Sequence, residues 1–199
     1  MIGSFIAFEG GEGCGKSTQA RLLGDALDAH VTFEPGATVL GQQIRQILLD
    51  PARTDLSDRA EALLMAADRA QHVHEVVRPT LESGRHVVTD RYLGSSLAYQ
   101  GFGREMDVDA VRALSEFATA SLYPDLVVLL DVPIDTARSR LIDAPDRFEG
   151  AGDAFHRRVA EGFLEIAETD DRWVVLDGSA SVESVAREVR SVVSRRLGV

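Results

Sequence analysis

The stretch SFIAFEGGEGCGKST, residues 4–18, constrains the chain more than any other. It opens on a continuous apolar run, the pattern of a strand covered on both faces, and passes through glycines into an amphipathic run near 16–29. Gly10, Gly15, Lys16 and Ser17 satisfy G-x-x-x-x-G-K-[ST]. In such a loop, backbone N–H groups curl around phosphate oxygens at a helix N-terminus, here spanning Gly10, Gly11, Glu12, Gly13, Cys14, Gly15, Lys16, Ser17 and Thr18. Lys16 is placed to neutralise the β and γ phosphates, and Ser17 offers a hydroxyl to Mg²⁺. ATP or GTP binding follows; a reaction does not yet.

The same alternation continues downstream. HVTFE (30–34), HVVTD (86–90), DLVVLLDV (125–132) and RWVVL (172–176) read as further strands, the last three fully buried. Helical periodicity lies between them near 38–49, 58–82, 107–119, 133–141, 153–169 and 181–196. Strand and helix in alternation predict a five-stranded parallel sheet with helices on both faces, a three-layer α/β/α architecture. With 199 residues, 45% of them hydrophobic, a single domain over 1–199 is expected. A formal charge of −11 argues against nucleic acid or an anionic membrane as main partner, so phosphate binding must be local. One cysteine excludes an internal disulfide framework, and no apolar run approaches the roughly 20 residues of a membrane span. Together with an N-terminus that lacks a signal-peptide pattern, these features lead to the expectation of a cytoplasmic protein.

Three further stretches carry chemistry. DRYLGSSLAYQG begins at the end of the 86–90 strand, where open α/β sheets bind ligands; Asp90 can hold Mg²⁺ through water and Arg91 can clamp a phosphate. Met65, Arg69 and His72 share one helix stripe, with Arg69 able to reach a base or phosphate, although a solvated helix face explains the same spacing. Glu34, before Pro35-Gly36, either caps the next helix or presents charge to the cleft. The irregular stretch 141–155 is read as a short lid. On residues alone, another nucleotide kinase, a deoxynucleoside kinase and a nucleotide-switched binding module all stay open.

The ordered set FEGGEGCGKSTQ, TFEPGAT, LLMAADRAQH, DRYLGSSLAYQG, PDLVVLLDV and DRFE resembles bacterial thymidylate kinase over nearly the whole chain. The resemblance implies phosphoryl transfer from Mg-ATP to dTMP, a P-loop NTPase fold with a lid, and a homodimer. It assigns ATP and Mg²⁺ to Lys16 and Ser17. Arg91 would bridge the two phosphate groups, and Glu12 would lie near the sugar 3′-hydroxyl. Arg69 matches a reader of pyrimidine O4, while Met65, Ser96, Tyr99 and Gln100 match the dTMP pocket; Glu34, at the carboxyl edge of the second strand, and Arg45, about two turns into the next helix, are expected on the acceptor side from their position. Tyr99 would exclude a ribose 2′-hydroxyl. Arg140 matches a residue beside adenine, and Arg147 a catalytic lid arginine. Three positions depart from the pattern: Phe33 replaces an arginine, Ala37 a glycine, and Met65 an aromatic. In the lid, Arg147 is the one basic residue, with Arg157 and Arg158 following it.

Overall fold

The computed structural model describes residues 2–141 and 146–199. Five parallel strands, β1 (Phe5–Glu9), β2 (His30–Phe33), β3 (Val87–Asp90), β4 (Leu126–Asp131) and β5 (Trp173–Asp177), lie in the order β2-β3-β1-β4-β5. β1 is central, pairing with β3 through Phe5↔Val87 and with β4 through Ile6↔Leu126. The chain runs from β1 to one side of the sheet for β2 and β3, then to the other for β4 and β5. That reversal opens a crevice at the carboxyl ends of β1, β3 and β4.

Burial follows strand position. β1 is buried throughout, whereas β2 and β5 are edges, with Phe33 44% and Val175 45% exposed. The expectation that β5 is fully buried therefore fails: Trp173 and Leu176 are buried in opposite core layers, but no strand lies beyond β5, and Val175 on its open edge stays exposed. One core layer packs Ile6, Phe8 and Val128 against α1 (Lys16–Leu27) and α9 (Val182–Leu197). The opposite layer packs Phe5, Ala7 and Val127 against residues of α6 (Val108–Thr119) and α8 (Asp153–Thr169).

Two helical departures shape the crevice. The periodicity over 58–82 predicts one helix, but α3 (Asp58–His72) passes through a π-helical turn, Val73–Val77, into α4 (Arg78–Glu82). Pro79 accounts for this, because it has no N–H to donate and its ring crowds the carbonyl four residues back. The second departure is α5 (Leu93–Ser96), which continues as a π-helical segment, Leu97–Gly103, where no helix is predicted. LGSS has weak helix propensity, so its tertiary partners must hold it. Glu9 Oε1 accepts the Tyr92 and Ser95 N–H groups at 3.0 Å each, satisfying donors at the helix start. Gly94 permits the approach: a Cβ there would lie 2.6 Å from the Trp173 ring and 2.8 Å from Glu9 Oε1. Among the described residues, the remaining helices are α2 (Val39–Leu49), α7 (Ile134–Ser139) and a 3-10 turn, Glu149–Ala151. Among the described residues, no helix is long and apolar enough to cross a membrane.

Candidate active site

The loop after β1 wraps around an open space at the start of α1. Gly13 shows why a side chain is excluded there: its φ is 71°, and a Cβ would meet the Ala137 carbonyl oxygen at 2.2 Å. Lys16 Nζ donates to the Gly11 carbonyl at 2.7 Å, so the ammonium lies across the loop it is expected to serve. Ser17 Oγ donates to Asp90 Oδ2, joining the helix start to the end of β3. Asp90 Oδ1 is buried without a hydrogen-bond partner among the described residues. One hydroxyl and one under-used carboxylate suit Mg²⁺, a hard cation that keeps water and phosphate oxygens as its other ligands.

Arg91 occupies the centre of the crevice. Its backbone is left-handed, φ 72°, and its N–H bonds the Phe8 carbonyl at 2.9 Å, which turns the side chain toward the loop. The guanidinium reaches Glu12 at 2.5 Å, the Gly10 carbonyl at 3.1 Å and Ser95 Oγ at 3.0 Å. It also stacks over Tyr99, 5.1 Å from the ring centroid. Burial alone would push the Glu12 carboxyl up, but Arg91 and Lys16 hold it at about 2. The ring hydroxyl of Tyr99 donates to Glu12 at 3.0 Å. Beneath this group, burial pushes Glu9 to about 7, although Ser95 Oγ donates to it at 2.6 Å and Arg91 is near.

Glu34 faces inward, paired with a cation and an imidazole. It pairs with Arg69 Nε and with His72 Nδ1, each at 2.8 Å, and those cationic and polar partners hold its carboxyl low against burial. Helix capping falls to Thr38, whose Oγ1 accepts the Gly41 N–H at 2.9 Å. Arg69 is 2% exposed, which overturns the solvated-surface alternative. Its guanidinium also donates to Ser96 Oγ at 2.9 Å and to the Tyr92 carbonyl at 3.0 Å. Asp68 accepts the Gly36 N–H at 2.9 Å; burial and the adjoining Glu34 charge push it to about 6.

Two pockets meet here. One is lined by Met65, Arg69, Ser96, Tyr99 and Gln100, on α3 and on the segment after β3. The other is lined by the glycine loop, Lys16, Ser17, Asp90 and Arg140. Glu12, Glu34, Arg45 and Arg91 line both. Arg45 donates to the Pro35 carbonyl at 2.8 Å and lies over the Phe33 ring, so this exposed arginine stands at the junction although the preceding turn has none. Arg140 spans from the Gly178 carbonyl at 3.1 Å to that of Gly13 at 3.4 Å.

Arg147 is not brought to the loop. Its Nε donates to the Leu48 carbonyl and one terminal nitrogen to Glu61 Oε2, both at 2.7 Å, and it lies over the Phe148 ring. Arg158 is likewise engaged, donating to the Gly103 carbonyl, while Arg157 is exposed. Part of the expected lid, residues 142–145, lies outside the described residues.

Sequence reasoning passed over Glu9, Glu61 and Arg104. A signal for Glu61 existed: it lies one turn before Met65 on the stripe that continues to Arg69 and His72. Glu9 ends a buried strand, yet nothing local distinguishes it from a surface acid.

A triphosphate loop opening onto a second, cation-lined pocket defines a P-loop phosphotransferase. The sequence model of the thymidylate kinase family matches residues 8–189. Thymidylate kinase of Leifsonia xyli subsp. xyli is 49% identical over 203 residues, covering 98% of this chain and 96% of its own. That of Bifidobacterium longum (strain NCC 2705) is 48% identical over 200 residues, covering 96% and 97%. The crystal structure of thymidylate kinase from Ehrlichia chaffeensis aligns with a TM-score of 0.80 at 29% identity, covering 97% of this chain and 99% of that one. The chain belongs to the thymidylate kinase family.

Proposed function

We propose that the protein transfers the γ-phosphoryl group of ATP to dTMP, giving dTDP and ADP. The observation that carries this reading is the pair of pockets sharing Glu12, Glu34, Arg45 and Arg91. Donor and acceptor phosphates both bear negative charge, so their repulsion must be cancelled where they meet. Arg91, fixed by Gly10, Ser95, Glu12 and both the hydroxyl and the ring of Tyr99, supplies a pre-oriented cation at that point, and Arg45 a second. Lys16 exchanges the Gly11 carbonyl for the donor's β and γ phosphates. Glu12, kept ionised, orients Arg91 and takes the sugar 3′-hydroxyl. Gly10, Gly11, Gly13, Cys14, Gly15 and Thr18 enclose the triphosphate, with Arg140 beside adenine.

Ser17 and Asp90 would hold Mg²⁺, which neutralises triphosphate charge when bound. On the acceptor side, Arg69 donates toward pyrimidine O4, Gln100 faces the ring, and Met65 packs against it. Ser96 positions Arg69, and Tyr99 lies against the deoxyribose. A monophosphate is already ionised near neutral pH, so no strong general base is required. Arg147, held on Glu61 and the Leu48 carbonyl, is left out of the phosphate site, where Lys16, Arg45 and Arg91 supply the charge. A homodimer fits the exposed Phe117 on α6 and Leu63 on the adjoining α3, 88% and 58% accessible. We place the enzyme in the cytoplasm.

ADP release with dTMP, dUMP, dCMP, dGMP or thymidine tests the assignment. Turnover should be greatest with dTMP. No stimulation by dTMP, or a preference for thymidine, overturns it.

A further inference from the structure

Glu61 is fully buried in the first helical turn of α3 and touches neither phosphate site. Its carboxylate is saturated. Oε1 accepts Gln100 Nε2 at 2.8 Å and Arg104 Nε at 3.3 Å, while Oε2 accepts an Arg104 terminal nitrogen at 3.0 Å and Arg147 at 2.7 Å. A carboxylate offers about four lone-pair sites, and four donors fill them. Because an ionised carboxylate can only accept, the Gln100 amide has one permitted orientation, nitrogen toward Glu61 and oxygen away from it. Gln100 is itself buried and lines the pocket that also holds Arg69.

We propose that Glu61 is a positioning residue for base selection, holding Gln100 so that its Oε1 meets the ring N3–H of a thymine or uracil nucleotide. This rests on the reading that the acceptor's base enters the Arg69–Gln100 pocket. The pocket then presents a donor, Arg69, and an acceptor, Gln100. Thymine and uracil offer the complementary O4 acceptor and N3–H donor. Cytosine offers an amino donor and an unprotonated N3 acceptor, so it mismatches at both positions.

Glu61→Gln tests this through polarity rather than shape. A glutamine has one acceptor end, and Arg104 and Arg147 both require it. Its amide N–H₂ then faces Gln100 Nε2, donor against donor, and the conflict is relieved when the Gln100 amide turns over and presents N–H₂ to the base. The ratio of kcat/KM for dTMP to that for dCMP should fall about ten- to a hundredfold. The dTMP to dUMP ratio should stay within about threefold, because both rings carry N3–H. Glu61→Asp keeps an acceptor-only end and should retain discrimination against dCMP within about threefold. General disruption would lower all three substrates together and leave the ratios unchanged.

A wild-type enzyme that does not prefer dTMP over dCMP overturns the pocket assignment itself. A preference that survives Glu61→Gln overturns the role of Glu61, and equal loss in Glu61→Asp shows that packing, not polarity, sets it. Should Glu61→Gln lack a cooperative melt, the same ratios are measured on Gln100→Met, which removes the acceptor that Glu61 is argued to hold; a preference for dTMP over dCMP that survives there overturns the proposal.

Discussion

Arg69→Met isolates the buried ion pair at the head of the acceptor pocket. The substitution approximates the stem of the arginine but removes the guanidinium that lies 2.8 Å from Glu34 and also holds Ser96 and the Tyr92 carbonyl. Glu34 and Arg69 side chains are 3% and 2% exposed, so water cannot replace the lost charge. Removing one partner of such a pair costs about 3–5 kcal/mol. For a chain of this size, about 2–4 °C per kcal/mol gives a fall in Tm of roughly 6–20 °C at pH 7. In the wild type, Glu34 is held below its ordinary value. Its contribution is therefore full above about 4.5 and is lost as pH falls through the lower folded value. In the variant, burial without Arg69 raises the same group, so protonation relieves the penalty as pH falls from 7 toward 5. The gap between the two proteins should narrow over that range. Thermal and urea melts at pH 7, 6 and 5 check this, and Glu34→Gln/Arg69→Met should lose less than the two single changes summed. A Tm change below about 2 °C with no pH dependence would contradict the buried-pair argument.

Glu9, raised to about 7 by burial, binds its proton more tightly folded than unfolded. Its contribution is consequently lost as pH rises from about 4.5 to 7, by about 3 kcal/mol. Chemical denaturation at pH 5, 6, 7 and 8 should show that slope diminished in Glu9→Gln. Arg91→Lys cannot reproduce the fork to Glu12, Ser95 and the Gly10 carbonyl, so kcat should fall about a hundredfold or more with a smaller change in the KM values for ATP and dTMP. Steady-state kinetics separates the two effects. Asp90→Asn removes the charge beside Ser17 and should raise the Mg²⁺ concentration for half-maximal velocity several-fold, read from a Mg²⁺ titration at fixed ATP.

The strands and most helices were legible because continuous apolar runs and 3.6-residue periodicity report burial directly. The loop at Gly10–Ser17 was legible for a different reason: backbone curvature and a phosphate-facing lysine impose residue types at fixed spacing. What escaped depended on distant partners. LGSS is helical because Glu9, more than eighty positions earlier, satisfies its first N–H groups. Arg69 looked as much like surface as like a site, since its burial depends on Glu34, Ser96 and Tyr92 from two other segments. The DRFE arginine was assigned to the phosphates, but the described conformation docks it on Glu61 and the Leu48 carbonyl. Local sequence carries no information about which of two acceptors a long side chain selects.

Competition by a thymidine and an adenosine joined 5′ to 5′ through five phosphates tests most directly whether the two pockets are acceptor and donor sites meeting at Arg91. Competitive inhibition against both ATP and dTMP, with binding of one molecule per chain and tighter than either nucleotide alone, is the expected result. Competition against only one substrate, or two molecules bound per chain, would contradict it.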